Sequence, residues 1–144
     1  MSKCYVVGID GSEGGVRAAK FAAEDAKAAG ATLKIIHVLE WSAYSFLTPE
    51  ELEQRHKRRE EDLTKAKTAI LNPLVSALGD YGIQIDAVVK YGNIAETLVN
   101  YGKESNATHI FVGRHGGSKL SNRIFGSVPA NLVQIADVPV TVVP

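Results

Sequence analysis

Two loops concentrate the residues that could hold an anion. The first is Asp10-Gly11-Ser12-Glu13-Gly14-Gly15, and the second is Gly113-Arg114-His115-Gly116-Gly117-Ser118-Lys119. In the second, Gly113, Gly116 and Gly117 let backbone N–H groups reach a ligand without side-chain obstruction. Gly126-Ser127 then opens a helix whose free N–H groups and positive dipole end suit a phosphate. No acidic residue falls between Gly113 and Ala136, while Arg114, Lys119 and Arg123 add positive charge. Glycines of this kind also serve as plain turn residues, but two glycine sites bracketing a basic loop favour binding. Asp10 reads equally well as a ligand contact or as a turn former, and Ser127 as a helix cap.

Other chemistries lack their residues. Five positions after Gly113 stands Ser118 rather than Gly, so the P-loop spacing fails, and Gly8, Gly11 and Gly14 recur at intervals of three, which is not G-x-G-x-x-G. The four histidines show no H-E-x-x-H spacing, and the single Cys4 excludes an internal disulfide and a cysteine-based zinc site. His115 reads either as a general base or as a polar, phosphate-facing loop residue. His37 and His109 sit in strand patterns and read as satisfied structural histidines. No nucleophile–base pair can be placed together, so no catalytic residue is assigned.

These loops need a scaffold, and the chain alternates strands with helices. Strands are expected at residues 4–9, 33–39, 83–89, 108–112 and 138–143. Helices are expected at 18–29, with Phe21, Ala22, Ala26 and Ala29 on one face, from 48 onward, from 93 to about 104, and from 127 to about 136. Thr48-Pro49-Glu50-Glu51 and Asn93 with Glu96 have the form of capping boxes, and Pro73 must kink or interrupt the long helix. That helix carries balanced charge, with Glu51/Arg55, Glu53/Lys57 and Glu61/Lys65 four apart; a solvated face explains it better than a partner-binding arm. Trp41, Tyr44, Phe46 and Leu47 form either a lid or ordinary packing over the sheet end. The alternation predicts a mostly parallel sheet with helices on both faces. In strand order 3-2-1-4-5 both rich loops open onto one crevice; a flavodoxin-like order would instead make Tyr91-Gly92-Asn93 the key loop, which is poorer in such residues.

One spacing does match. Gly113, two residues, Gly116, nine residues, then Gly126-Ser127 is similar to the G-2x-G-9x-G-(S/T) signature of nucleotide-binding universal stress proteins. Asp10-Gly11-Ser12, His37-Val38 and the Val138-Pro139-Val140 ending extend the resemblance over the whole chain. It implies a five-stranded Rossmann-like α/β fold of the adenine nucleotide alpha hydrolase type, with ATP or a related adenine nucleotide as ligand and Mg²⁺ held by its phosphates. By the same resemblance Ile9 and Asp10 would meet the adenosine half, and Val38 would line the adenine pocket by its backbone. Gly113, Arg114, His115, Gly116, Gly126 and Ser127 would surround the phosphates, with Val112 and Val128 flanking. Arg114 and Pro129 depart from the family pattern.

The resulting expectation is one domain over residues 1–144, a stress-response regulatory protein acting through ligand-dependent conformation or a regulatory protein partner. The alternatives are a slow Mg-dependent ATP-hydrolysing enzyme and a dimeric interaction module for AMP or cyclic AMP. Lys plus Arg (16) equals Asp plus Glu (16), which gives no global field for nucleic acid or an anionic membrane. Without a bilayer-length apolar run or a signal-peptide layout, the expected location is cytoplasmic. The closing strand, with Val138, Val140, Val142 and Val143, carries no protecting charge, so a homodimer through residues 138–143 is expected.

Overall fold

The computed structural model describes residues 3–40, 48–114 and 127–144. Five parallel strands form one sheet: β1 (Cys4–Ile9), β2 (Thr32–Glu40), β3 (Ile85–Gly92), β4 (His109–Gly113) and β5 (Val140–Val143), in the order β3-β2-β1-β4-β5. The expected 3-2-1-4-5 arrangement is therefore present. The order reverses between β1 and β4, whose registers place Gly8 beside Val112, while Ile9 pairs with His37 on the other side.

Alternate residues of each strand feed two cores. Val7, Ile9, Leu33, Ile35 and Phe111 face α1 (Glu13–Ala29) and α3 (Asn72–Ala77). Val6, Ile36, Val38, Ile110 and Val112 face α4 (Ile94–Glu104) and α5 (Ser127–Ile135). That both faces are apolar follows from the parallel pairing, because the crossover helices cover each side.

Helix α1 starts at Glu13, five residues before the expected residue 18. Ser12 caps it by accepting the Gly15 N–H, so Gly14 and Gly15 belong to its first turn and not to an open loop. The buried face of α1 is Ala18, Ala19, Ala22, Ala23 and Ala26, whereas Phe21 and Ala29 are exposed, contrary to expectation. A stripe of alanines buries little area per residue, but it lets the helix lie close on the sheet. Strand β3 runs two to three residues later than expected, because Gly82 in the left-handed region (φ 67°) closes the preceding turn and the pairing continues to Glu40↔Gly92. Strand β5 begins at Val140, not residue 138; Val138 and Pro139 lead into it, with the Pro139 carbonyl already accepting from the Ile110 N–H.

Helix α2 (Pro49–Ala66) opens with a complete capping box between Thr48 and Glu51, and Ala66 is its one buried residue. The interruption expected at Pro73 takes the form of a π turn over Lys67–Leu71, with the Asn72 N–H bonded to the Lys67 carbonyl, before α3 resumes. Proline cannot donate and crowds the preceding turn, so a looser turn ahead of it restores the hydrogen bonding. Asn93 caps α4 by accepting the Glu96 N–H at 3.1 Å.

Candidate functional site

All five strands point their carboxyl ends to one edge, and the strand order reverses between β1 and β4, the place where ligands of open α/β sheets bind. Of the expected site residues, Ile9 and Asp10 end β1, Val38 lies near the end of β2, and Val112, Gly113 and Arg114 close β4. The α5 helix must descend to feed the start of β5, so its first residues, Ser127 and Val128, stand at the same edge. His115, Gly116 and Gly126 lie outside the described residues, as do Lys119, Arg123, Trp41, Tyr44, Phe46 and Leu47.

The Asp10 turn is built by its own side chain. Asp10 Oδ1 accepts the Ser12 N–H at 3.0 Å and also the Ser12 hydroxyl. Gly11 between them sits at φ +84°, which favours glycine. The turn reading and the ligand reading of Asp10 are thus compatible, since the carboxylate is exposed at the sheet edge while it shapes the loop.

Gly113 behaves differently from the expectation of an open phosphate approach. A Cβ there would stand 2.9 Å from the Gly14 carbonyl oxygen, so the space is taken by the α1 backbone. The neighbouring Arg114 N–H is donated to the Val143 carbonyl at 2.8 Å and belongs to the β4–β5 ladder. Pro129 is buried in the first turn of α5, where the N–H it lacks would have no partner within the helix. Val112 is buried and Val128 packs against the same core cluster, as flanking residues would.

Two clefts adjoin across Ile70, from the π turn. One, of about 290 Å³, is walled by Ile9, Gly11, Ser12, Lys20, Ile70 and Pro73. The other, of about 400 Å³, is walled by His37, Leu39, Glu40, Lys65, Ile70 and Tyr91. Both have the size and largely apolar lining of small-molecule sites. Ile70 also touches the loop itself, because a Cβ on Gly11 would lie 3.1 Å from its Cδ1. The Tyr91 hydroxyl reaches the Arg59 carbonyl at 3.3 Å and Asp62 at 3.4 Å, with the Arg59 guanidinium over its ring. Burial, then the Asp62 charge, push the Tyr91 phenol up from its ordinary range, keeping it a neutral donor.

His37 is buried and its Nδ1 lies 3.0 Å from the Ile9 carbonyl, tying β2 to the end of β1. His109, half-buried, bonds Thr141 through Nε2 at 2.6 Å and stacks on Phe111. Both rings are buried or half-buried in strands and hydrogen-bonded there, as structural histidines would be. Sequence reasoning passed over Ile70, because nothing in the local pattern announces a π turn. Among the described residues no cluster of three or more His, Cys, Asp or Glu could hold a metal ion, and no helix is long and apolar enough to cross a membrane.

A parallel 3-2-1-4-5 sheet with helices on both faces defines a doubly wound α/β protein. The universal stress protein family model matches residues 1–144, and the chain belongs to that family. Universal stress protein YxiE of Bacillus subtilis is 31% identical over 147 residues, covering 96% of each chain. The structure of universal stress protein UspA from Lactobacillus plantarum superposes with a TM-score of 0.87 at 22% identity, covering 99% of this chain and 97% of that one. A universal stress protein solved in complex with cAMP is 26% identical, with a TM-score of 0.71, over 99% of this chain and 96% of its own.

Proposed function

We propose that this protein binds an adenine nucleotide, ATP or a relative such as AMP or cyclic AMP, and acts in stress response through ligand-dependent conformation or partner binding. The observation that carries this reading is the meeting of Asp10 and Gly113, the two motif-bearing strand ends, at the β1/β4 reversal. The relative bound to cAMP supports the ligand class. The residues present fit a nucleoside in part: an apolar floor from Ile9 and Ile70, an exposed carboxylate at Asp10, and the helix start at Ser127. The remaining signature positions, His115, Gly116 and Gly126, would complete the phosphate side, and Mg²⁺ would be held by the phosphates. Gly113 contributes there by letting α1 approach, and Arg114 by its side chain rather than its amide.

The single domain over residues 1–144 would work as a cytoplasmic homodimer paired through the closing strand. Turnover of bound ATP would be slow, far below the ~10 s⁻¹ typical of enzymes, since no positioned base or nucleophile accompanies the loops among the described residues. Isothermal titration with ATP, AMP and cyclic AMP tests the reading, with Gly126→Val and Asp10→Ala as variants. Micromolar binding that both substitutions abolish supports it. Absence of binding to all three ligands at millimolar concentration would remove it. Rapid multiple turnover of Mg-ATP would favour the enzyme alternative.

A further inference from the structure

Ser12 stands between two neighbours that leave its hydroxyl a single orientation. The Gly15 N–H can only donate, so Ser12 Oγ accepts it, at 3.3 Å. Asp10 Oδ1 is a carboxylate oxygen and only accepts, so the hydroxyl proton points to it. The Ser12 backbone N–H is donated to the same Oδ1 at 3.0 Å. One residue thus supplies two donors to one carboxylate oxygen, and its hydroxyl links that oxygen to the first turn of α1. Gly15 completes the seat. A Cβ there would lie 3.2 Å from Asp10 Oδ1 and 3.2 Å from the Asp10 nitrogen, so the carboxylate rests against bare helix backbone.

Capping accounts for only half of this arrangement. A cap needs an oxygen that accepts from the helix, and aspartate would serve as well as serine. A hydroxyl also donates to Asp10 through the same atom, which an aspartate cap could not do. Asp10 is exposed, and an exposed carboxylate without those donors would sample several rotamers.

We propose that Ser12 is a positioning residue, whose hydroxyl holds the Asp10 carboxylate in the orientation that meets the ligand. The proposal rests on the adenine-nucleotide reading above. In such a ligand the adjacent ribose hydroxyls are the paired O–H donors that suit a carboxylate. A seated carboxylate meets them without first losing side-chain freedom, and affinity is gained there.

Calorimetry on the full chain compares ATP with 2′,3′-dideoxy-ATP, which lacks both hydroxyls. Wild type is expected to bind the dideoxy ligand about tenfold to a hundredfold more weakly. Ser12→Ala should narrow that gap by about threefold to tenfold, the cost of ordering one side chain on binding. Ser12→Thr keeps the hydroxyl and should keep the gap. Ser12→Asp caps α1 but has no proton for Asp10 at neutral pH, so it should narrow the gap with the helix still capped. A capping role alone would weaken both ligands by one factor and leave the gap unchanged. An unchanged gap in folded Ser12→Ala or Ser12→Asp, or a gap that Ser12→Thr fails to keep, overturns the role of Ser12 while the nucleotide reading stands. The same follows if wild type binds the two ligands alike. Failure of wild type to bind either ligand overturns the nucleotide reading and this inference with it.

Discussion

The missing Cβ of Gly113 is occupied by the backbone of Gly14: a methyl group there would lie 2.9 Å from the Gly14 oxygen and 3.0 Å from its carbonyl carbon. The first glycine of the nucleotide signature is thus a packing glycine, which lets the N-terminus of α1 reach the end of β4. Backbone atoms cannot swing aside as a side-chain tip can, so Gly113→Ala should cost about 1–3 kcal/mol, the range for overpacking. Urea unfolding measures it, and wild-type stability in the variant would show that α1 and β4 separate easily. A loss of ligand binding in a Gly113 variant therefore reports on α1 placement as well as on phosphate contact.

Gly11 and Ile70 provide a second, separable test. The left-handed backbone of Gly11 (φ +84°) penalises any side chain by about 1–2 kcal/mol. The 3.1 Å approach to Ile70 Cδ1 adds a steric term. In a double-mutant cycle, Gly11→Ala should be less costly in an Ile70→Ala background than in wild type, by about 0.5 kcal/mol or more, because only the backbone term remains. Strict additivity would mean that the π turn does not press on the Asp10 loop.

The parts of this fold that were legible in the sequence are those written in local chemistry. Thr48 with Glu51, Asn93 with Glu96, and Ser127 marked helix starts that the structure reproduces within a residue or so. The strand order followed from asking where the two rich loops could meet. The start of α1 was not legible, because Gly14 and Gly15 read as loop residues; their helical state depends on the Ser12 cap and on close packing against β1 and β4. The later span of β3 is fixed by its register with β2, a long-range fact with little local trace. The partner of His37 was hidden for the same reason, since a strand pattern shows that a ring is buried but not that its Nδ1 meets the Ile9 carbonyl of the neighbouring strand.

The half-buried His109 gives a stability change with a defined sign. Burial lowers its pKa in the folded chain, and the opposing pull of Asp25 on α1 is the smaller influence. The unfolded state therefore binds the proton more readily, so stability is fully present above the ordinary value of ~6.5 and falls as pH drops through the folded pKa. Thermal melts between pH 7.5 and 5 should show a decline that His109→Gln reduces. A variant with the same slope as wild type would assign the decline to other groups.

The last prediction concerns the open edge of β5. The Ile110 N–H bonds the Pro139 carbonyl at 3.0 Å, and the Arg114 N–H bonds the Val143 carbonyl at 2.8 Å. In a parallel ladder this alternation turns the N–H and C=O groups of Val140 and Val142 away from β4, towards the free edge. No charged side chain protects that edge within the strand, and Val133 (58% exposed) and Ile135 (47%) leave apolar surface on α5, which packs beside it. An antiparallel pairing with a second copy would satisfy the outward groups and cover apolar surface by one two-fold contact. The side chains of Val140 and Val142 pack against the α4/α5 core, so replacing them by lysine would disturb the monomer as well as the edge. Val142→Pro is the cleaner change: it deletes one outward N–H, leaves the ladder to β4 intact, and proline is tolerated on edge strands. Light scattering at tens of micromolar should find wild type dimeric and Val142→Pro monomeric with its fold retained. A monomeric wild type, or a folded Val142→Pro that stays dimeric, would rule out pairing through β5.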